Sequence, residues 1–105
     1  MTYSLRFVPE VEEDALTAYN WYESRSPGLG GKFLRVFYLR ASELPGNPLL
    51  YARFFSDFRR QLLPRFPFAV YFAIVHNEIV VFGLFHCARD PRRIISELQD
   101  RADSE

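Results

Sequence analysis

The sequence predicts an α+β fold: a helical hairpin packed on a mainly antiparallel four-stranded sheet, in the order β-α-α-β-β-β, followed by a short C-terminal helix. Two observations carry this. Apolar residues recur every three or four positions between 10 and 44, then every second position from about 51 onward. Helices and strands are therefore segregated along the chain instead of alternating, which is the pattern of α+β rather than α/β architecture.

Each element has a local reason. In residues 3–8, Leu5 and Phe7 alternate with Ser4 and Arg6, the period of a half-buried strand. Pro9 stops that strand and suits a first helical turn, and Glu10, Glu12, Glu13 and Asp14 favour the positive end of the helix dipole. Val11, Ala15, Ala18, Tyr19 and Tyr22 then form one stripe of a helix over 10–25. The acids at its start are expected to be solvated. Ser26-Pro27-Gly28 breaks the helix, and a second one over 29–44 carries Leu29, Phe33, Val36, Phe37 and Leu44 until Pro45-Gly46-Asn47-Pro48 ends it. Gly28, Gly30 and Gly31 do not make a phosphate loop. Lys32 is followed by Phe33 and no apolar strand precedes the glycines, so a tight helix–helix turn is expected.

Residues 51–55 read as a short strand or extended loop and 58–63 as a strand, with Pro64 and Pro67 bracketing a bend. Residues 68–75 are apolar on both faces, so this strand belongs in the middle of the sheet. His76-Asn77-Glu78 is a hairpin turn, and 79–86 is the partner strand. Asp90-Pro91 marks a turn into a helix over 93–100, and the acidic tail 100–105 is expected to fray.

One domain spanning 1–105 is expected from 105 residues, of which 49% are hydrophobic and 25% charged. The longest strongly apolar stretch, 66–75, is about half of what a membrane helix needs. Without a basic-then-apolar leader, a cytoplasmic location is expected and no membrane partner. The single cysteine, Cys87, excludes an internal disulfide framework and a Cys-rich zinc site. His76 and His86 have no metal-ligand spacing, so neither a metal nor a cofactor is implied. Cys87 and His86 are adjacent on a strand and point to opposite faces, which precludes a simple thiol–imidazole dyad and favours a buried or inert thiol.

Charge is sorted although the net charge is zero. In residues 1–24, Arg6 stands against Glu10, Glu12, Glu13, Asp14 and Glu23, a net of −4. In 25–65, eight bases against Glu43 and Asp57 leave +6, and the remainder is −2. All the bases except Lys32 are arginine, whose planar fork suits carboxylates and phosphates. Arg59, Arg60, Arg65, Arg89 and Arg93 are the candidate binding residues, placed to share one edge of the sheet if the 58–63 and 79–86 strands flank the central one. The chain is also rich in aromatics at 17%, and Tyr19, Trp21, Tyr22, Phe37, Tyr38, Phe54, Phe55 and Phe58 are too many for one small core. Trp21 and Tyr22 join the candidate interface, since exposed aromatics near arginines have the make-up of interface hot spots.

The motifs fall in a familiar order: Phe7-Val8-Pro9-Glu10, Ala18-Tyr19-Asn20-Trp21-Tyr22-Glu23, Ser26-Pro27-Gly28-Leu29-Gly30 with Phe33-Leu34, and Asn47-Pro48. Then come Phe58-Arg59-Arg60-Gln61-Leu62-Leu63, Arg65-Phe66-Pro67-Phe68-Ala69-Val70-Tyr71-Phe72 and Phe85-His86-Cys87-Ala88-Arg89-Asp90-Pro91. Over roughly residues 4–95 the chain resembles the RelE/ParE superfamily of toxins from bacterial type II toxin–antitoxin, or plasmid stabilisation, modules, and looks closer to the ParE branch. The resemblance implies a growth-inhibiting toxin neutralised by a cognate antitoxin. ParE-like members inhibit DNA gyrase by binding; RelE-like members cut messenger RNA on the ribosome. Arg89 matches a catalytic arginine of the nuclease branch. The central-strand arginine of that branch is Phe68 here, its lysine pair is replaced by Arg59, Arg60 and Gln61, and its tail tyrosine falls at Ile94 or Ile95. The ribonuclease set is incomplete, so the expectation is an inhibitory binding protein rather than an enzyme. The alternatives are a ribosome-dependent ribonuclease, for which Arg59, His86 and Arg89 are the candidates, or an inactive orphan. His86, the nearby group that titrates near neutral pH, is expected to face inward from its strand.

Overall fold

The computed structural model describes residues 3–105. Its elements run β1 (Ser4–Phe7), α1 (Glu10–Arg25), α2 (Leu29–Ala41), β2 (Arg53–Phe55), β3 (Phe58–Leu62), β4 (Phe68–Val75), β5 (Glu78–His86) and α3 (Pro91–Asp103). Two single 3₁₀ turns, Leu44–Gly46 and Pro48–Leu50, lie between α2 and β2.

The sheet has five strands in the order β1-β5-β4-β3-β2, with β4 in the middle as its two-faced apolar sequence requires. Four strands were expected; the fifth is 53–55, which folds back on β3 through a turn where Ser56 takes φ 51°. Three residues without clean alternation are too short for their periodicity to separate strand from loop. The β2–β3, β3–β4 and β4–β5 pairs are antiparallel, whereas β1 crosses the hairpin and lies parallel to β5, pairing Ser4 with Glu78 through Phe7 with Val81. Among the described residues, no strand lies beside the outer edge of β5 beyond Val81. Among the described residues no helix is long and apolar enough to cross a membrane.

The helical hairpin covers one face of the sheet. Gly28, at φ 89°, makes the left-handed turn between the helices. Glu23 accepts hydrogen bonds from the Gly28 and Gly30 amides at 2.9 and 3.0 Å. Its carboxylate therefore caps α2 and occupies the amides that a phosphate loop would use. The helices cross closely at Gly30, where an added Cβ would lie 2.7 Å from the Tyr19 carbonyl oxygen. Beneath them, Tyr22, Phe33, Phe66 and Phe68 form one aromatic cluster with ring centroids 4.9 to 6.0 Å apart.

The second helix ends at Ala41 rather than 44, and Leu44 is buried from a 3₁₀ turn instead. The larger correction is at the C-terminus. Helix α3 runs 91–103, longer than the expected 93–100, and the segment 100–105 does not fray. Pro91 sits in its first turn, the Asp90 side chain accepts from the Arg92 amide at 2.9 Å, and Ile94 and Leu98 are buried against the sheet. Arg101 is fixed to α1, and Glu105 pairs with Arg6 of β1. The polar sequence beyond Leu98 conceals this anchoring, because ion pairs rather than apolar residues hold that end.

Two outcomes are expected. Gly30→Ala lowers stability by about 1–3 kcal/mol, since backbone must move to admit the methyl group. Gly31→Ala, whose Cβ meets nothing within 4 Å, is neutral or stabilising by up to about 1 kcal/mol in the same helix. Denaturant titration of the two variants measures both. Hydrogen bonds from the Arg92 side chain and then its amide hold the Asp90 carboxyl below the usual carboxylate range. A depressed native pKa contributes stability at pH values above the unfolded carboxyl pKa, near 3.9, and loses it as pH falls through the native value. The acid limb of the stability profile should therefore flatten in Asp90→Asn.

Candidate functional site

A cleft of about 650 Å³ opens where α1, the β5 edge and α3 converge. Trp21 and Tyr22 of α1 form one wall, Arg89, Glu97 and Arg101 the other, and Phe85 and His86 of β5 lie between. The stop of β1 at Phe7 leaves this space, since a longer first strand would fill it.

Strand β5 is sealed on this edge by side chains. Asp14 accepts a hydrogen bond from the Leu84 amide at 3.1 Å, and Arg101 donates to the Phe82 carbonyl at 2.9 Å. The two side chains meet each other in a bidentate pair at 2.6 and 3.0 Å. Burial opposes the charge on Arg101, but Asp14, aided by Glu97 and Glu10, outweighs it and raises the guanidinium pKa above its ordinary value. Glu97 bridges onward to Arg89 at 3.3 Å and lies 3.5 Å from Arg101. The two guanidiniums also lie over the Phe85 ring, at 4.7 Å for Arg89 and 5.0 Å for Arg101. The result is a chain of alternating charge, Asp14–Arg101–Glu97–Arg89, along an otherwise apolar cleft.

The candidate residues separate into groups. Trp21, Tyr22, His86 and Arg89 line the cleft. Arg59 and Arg60 do not: on β3 they pair with Phe72 and Tyr71, well along β4 from the Phe68 that pairs with His86. Arg59 donates to the Tyr51 carbonyl at 2.7 Å, and Arg60 lies over the Phe54 ring. Burial pushes the Tyr71 hydroxyl pKa up, and Arg60 only partly offsets this. Arg65 is exposed at the bend with φ 70°, and Arg93 is exposed on α3. β3 and β5 do flank β4 as expected, but the arginines spread along the strands, so the single shared edge does not form.

Three further expectations change. His86 is exposed, with Nδ1 accepting from the Ala88 amide at 3.0 Å and its ring edge-on to Phe68, because β5 ends there and, among the described residues, no element covers it. Cys87 is exposed in the turn beyond the strand rather than buried. Of the surplus aromatics, Tyr22, Phe37 and Phe58 are core, and Trp21 and Tyr38 remain large and exposed at 53% and 47%. Burial also raises the Tyr22 pKa, so its hydroxyl stays protonated near neutral pH.

Sequence reasoning missed Asp14 and Arg101, although Glu97 was among the acids expected to pair with the arginines. A sign was present: Asp14 lies three residues from Val11 and four from Ala18, and Arg101 three from Leu98, so both charges fall on buried stripes. A solvated helix start does not describe Asp14, whose side chain is 12% exposed.

No protein-family model and no curated protein sequence matches the chain. A solved structure described as the chromosomal ParDE TA system from P. aeruginosa contains a chain that aligns with a TM-score of 0.74. The two are 19% identical, and the alignment covers 81% of this chain and 96% of that one. The chain has the ParE/RelE fold. The archaeal RelE-RelB complex from Pyrococcus horikoshii OT3 contains a chain 15% identical, aligned over 86% of this chain and all of that one, with a TM-score of 0.43.

The charge chain sets a stability expectation. Asp14→Ala removes the bidentate partner of Arg101, leaves it only the more exposed Glu97 at 3.5 Å, and should cost about 3 kcal/mol. Glu97→Gln, at a more exposed pair, should cost no more than about 1 kcal/mol. Chemical denaturation of both variants provides the comparison.

Proposed function

We propose that this protein is the toxin of a type II toxin–antitoxin module, ParE-like in action, which inhibits DNA gyrase by binding and is neutralised by a cognate antitoxin. The supporting observation is the fold match over nearly the whole of a ParDE-system chain, joined to the motif order in the sequence. The cleft favours binding over phosphodiester cleavage. A nuclease concentrates unpaired positive charge on one phosphate and supplies a group to move protons. Here Arg89 is paired with Glu97, Arg101 with Asp14, and Arg59 and Arg60 lie elsewhere. Phe68 packs in the aromatic cluster in place of a second central arginine. Trp21, exposed and with Arg25 4.4 Å from its ring centre, is the stronger anchor for a protein partner.

One observation favours a second reading, a RelE-like ribonuclease: His86 is exposed beside Arg89 in the same cleft. One experiment separates the two. Induction of the chain alone should arrest growth, and co-expression of the adjoining gene should restore it and co-purify a complex. Arg89→Ala should weaken arrest, with messenger RNA intact in both strains and gyrase supercoiling inhibited only by the wild type. Messenger cleavage that requires ribosomes and disappears in His86→Ala would replace the gyrase reading with the nuclease. Normal growth despite abundant folded protein would point to an inactive member.

A further inference from the structure

The outer face of the helical hairpin, turned away from the sheet, carries its charge in two stripes. Val11, Ala15, Ala18 and Tyr22 bury one side of α1, and Phe33, Phe37 and Ala41 bury one side of α2. At about 3.6 residues per turn, the opposite side of α1 presents Glu13, Leu16 and Asn20 with Glu12 beside them, and that of α2 presents Lys32, Arg35 and Leu39, all exposed. Among the described residues none of Glu12, Glu13, Lys32 and Arg35 has an ion-pair partner. Leu16 and Leu39 are 55% and 61% exposed. A scattered surface leucine needs no explanation, but here each leucine is set in a stripe of uncompensated charge, and the two stripes have opposite sign. Gly31 leaves a notch on the same face, since a Cβ added there meets nothing within 4 Å.

We propose that a second copy of this chain covers this face, in a two-fold dimer whose axis runs along the helices. The hairpin is antiparallel, with Tyr19 against Gly30 at the crossing. Counting back from that point, Glu13 is level with Arg35, and Leu16 is level with Phe33, between Gly31 and Arg35. A two-fold axis parallel to the helices lays α1 of each copy on α2 of the other and keeps these levels. Glu13 of each copy then meets Arg35 of the other, and Leu16 enters the notch at Gly31 of the other copy. An axis across the helices sets α1 on α1 and α2 on α2, acid against acid and base against base. The charge pattern therefore selects both the occupant and its orientation. A uniformly acidic or basic partner satisfies one stripe and is repelled by the other, whereas this surface is complementary to itself. Helices of 16 and 13 residues make a face about 20 Å long and about 20 Å wide. Two such faces bury about 1,200 Å² together, the lower end for a specific interface. The dimer is accordingly weak, with a dissociation constant in the micromolar range. It does not depend on the toxin reading.

Sedimentation equilibrium of the full chain, in a concentration series reaching the high micromolar range, tests this. The wild type should pass from monomer to dimer. Glu13→Arg and Arg35→Glu each set like charges opposite one another at two places in the dimer, and each should weaken it at least about tenfold. Mixed in equal amounts, the two variants should form a heterodimer as tight as the wild-type dimer, because every reversed charge then meets its opposite. Both positions are exposed, and circular dichroism checks that both variants fold. Leu16→Glu, which puts a charge in place of the leucine at the notch, should also give a monomer and stands in for a variant that does not fold. A wild type that stays monomeric, single variants that dimerise as the wild type does, or a mixture that stays monomeric overturns the dimer. So does a monomeric chain whose hairpin amides gain exchange protection only when the protein of the adjoining gene is added, a result that gives the face to that partner. None of these outcomes alters the toxin reading.

Discussion

Asp14 and Arg101 meet where the helix hairpin, the open edge of the sheet and the C-terminal helix come together. Each has two duties, since Asp14 also receives the Leu84 amide and Arg101 also serves the Phe82 carbonyl. A strand edge needs partners for its backbone groups, and here two side chains from distant helices stand in for the strand that ends at Phe7. The geometry is demanding: a bidentate pair, shielded on one side by Phe85, whose charge is compensated as burial requires. Because this contact sets the separation of α1 from α3, it also sets the width of the cleft between them.

That arrangement explains how a fold can be basic in one segment and still present a nearly neutral cleft. Arg59 and Arg60 of the middle segment lie on the β3 side, where they serve the Tyr51 carbonyl and the Phe54 ring. In the C-terminal region Arg89, Arg92 and Arg101 are matched by Glu97, Asp90 and Asp14. The cleft is lined largely by apolar surface, with Trp21 at its rim. A surface of that composition gains affinity by excluding water from aromatic contacts rather than from long-range attraction.

The hairpin and the β3–β4–β5 meander were legible because burial there is one-sided or complete, and apolar periodicity reports burial. Helix α1 and strand β4 match their expected bounds for this reason. Where other forces act, the pattern is silent. The last turn of α3 is held by Arg6–Glu105 and Arg101–Asp14 contacts, which span most of the chain and leave no local periodicity. Glu23, near the end of α1, reads as one more surface acid, yet it orders two glycine amides. The candidate site was half legible for the same reason. Residue types pointed to arginine and aromatics, but whether Arg59 and Arg89 converge depends on strand register, and register here is decided by which residues pair across β4.

The parallel pairing of β1 with β5 has a consequence for how the chain is made. Ser4 must find Glu78, and Asp14 must find Arg101, so the first strand and first helix emerge from the ribosome long before their partners. The hairpin of α1 and α2 can form early from neighbouring contacts, but its apolar face then waits uncovered for β4 and β5. Pairings of such sequence separation slow folding, because loop-closure entropy is spent before the contacts reward it. The Asp14–Arg101 contact cannot form until synthesis has passed Arg101, and before β4 and β5 emerge the apolar face of the hairpin has no sheet to cover it.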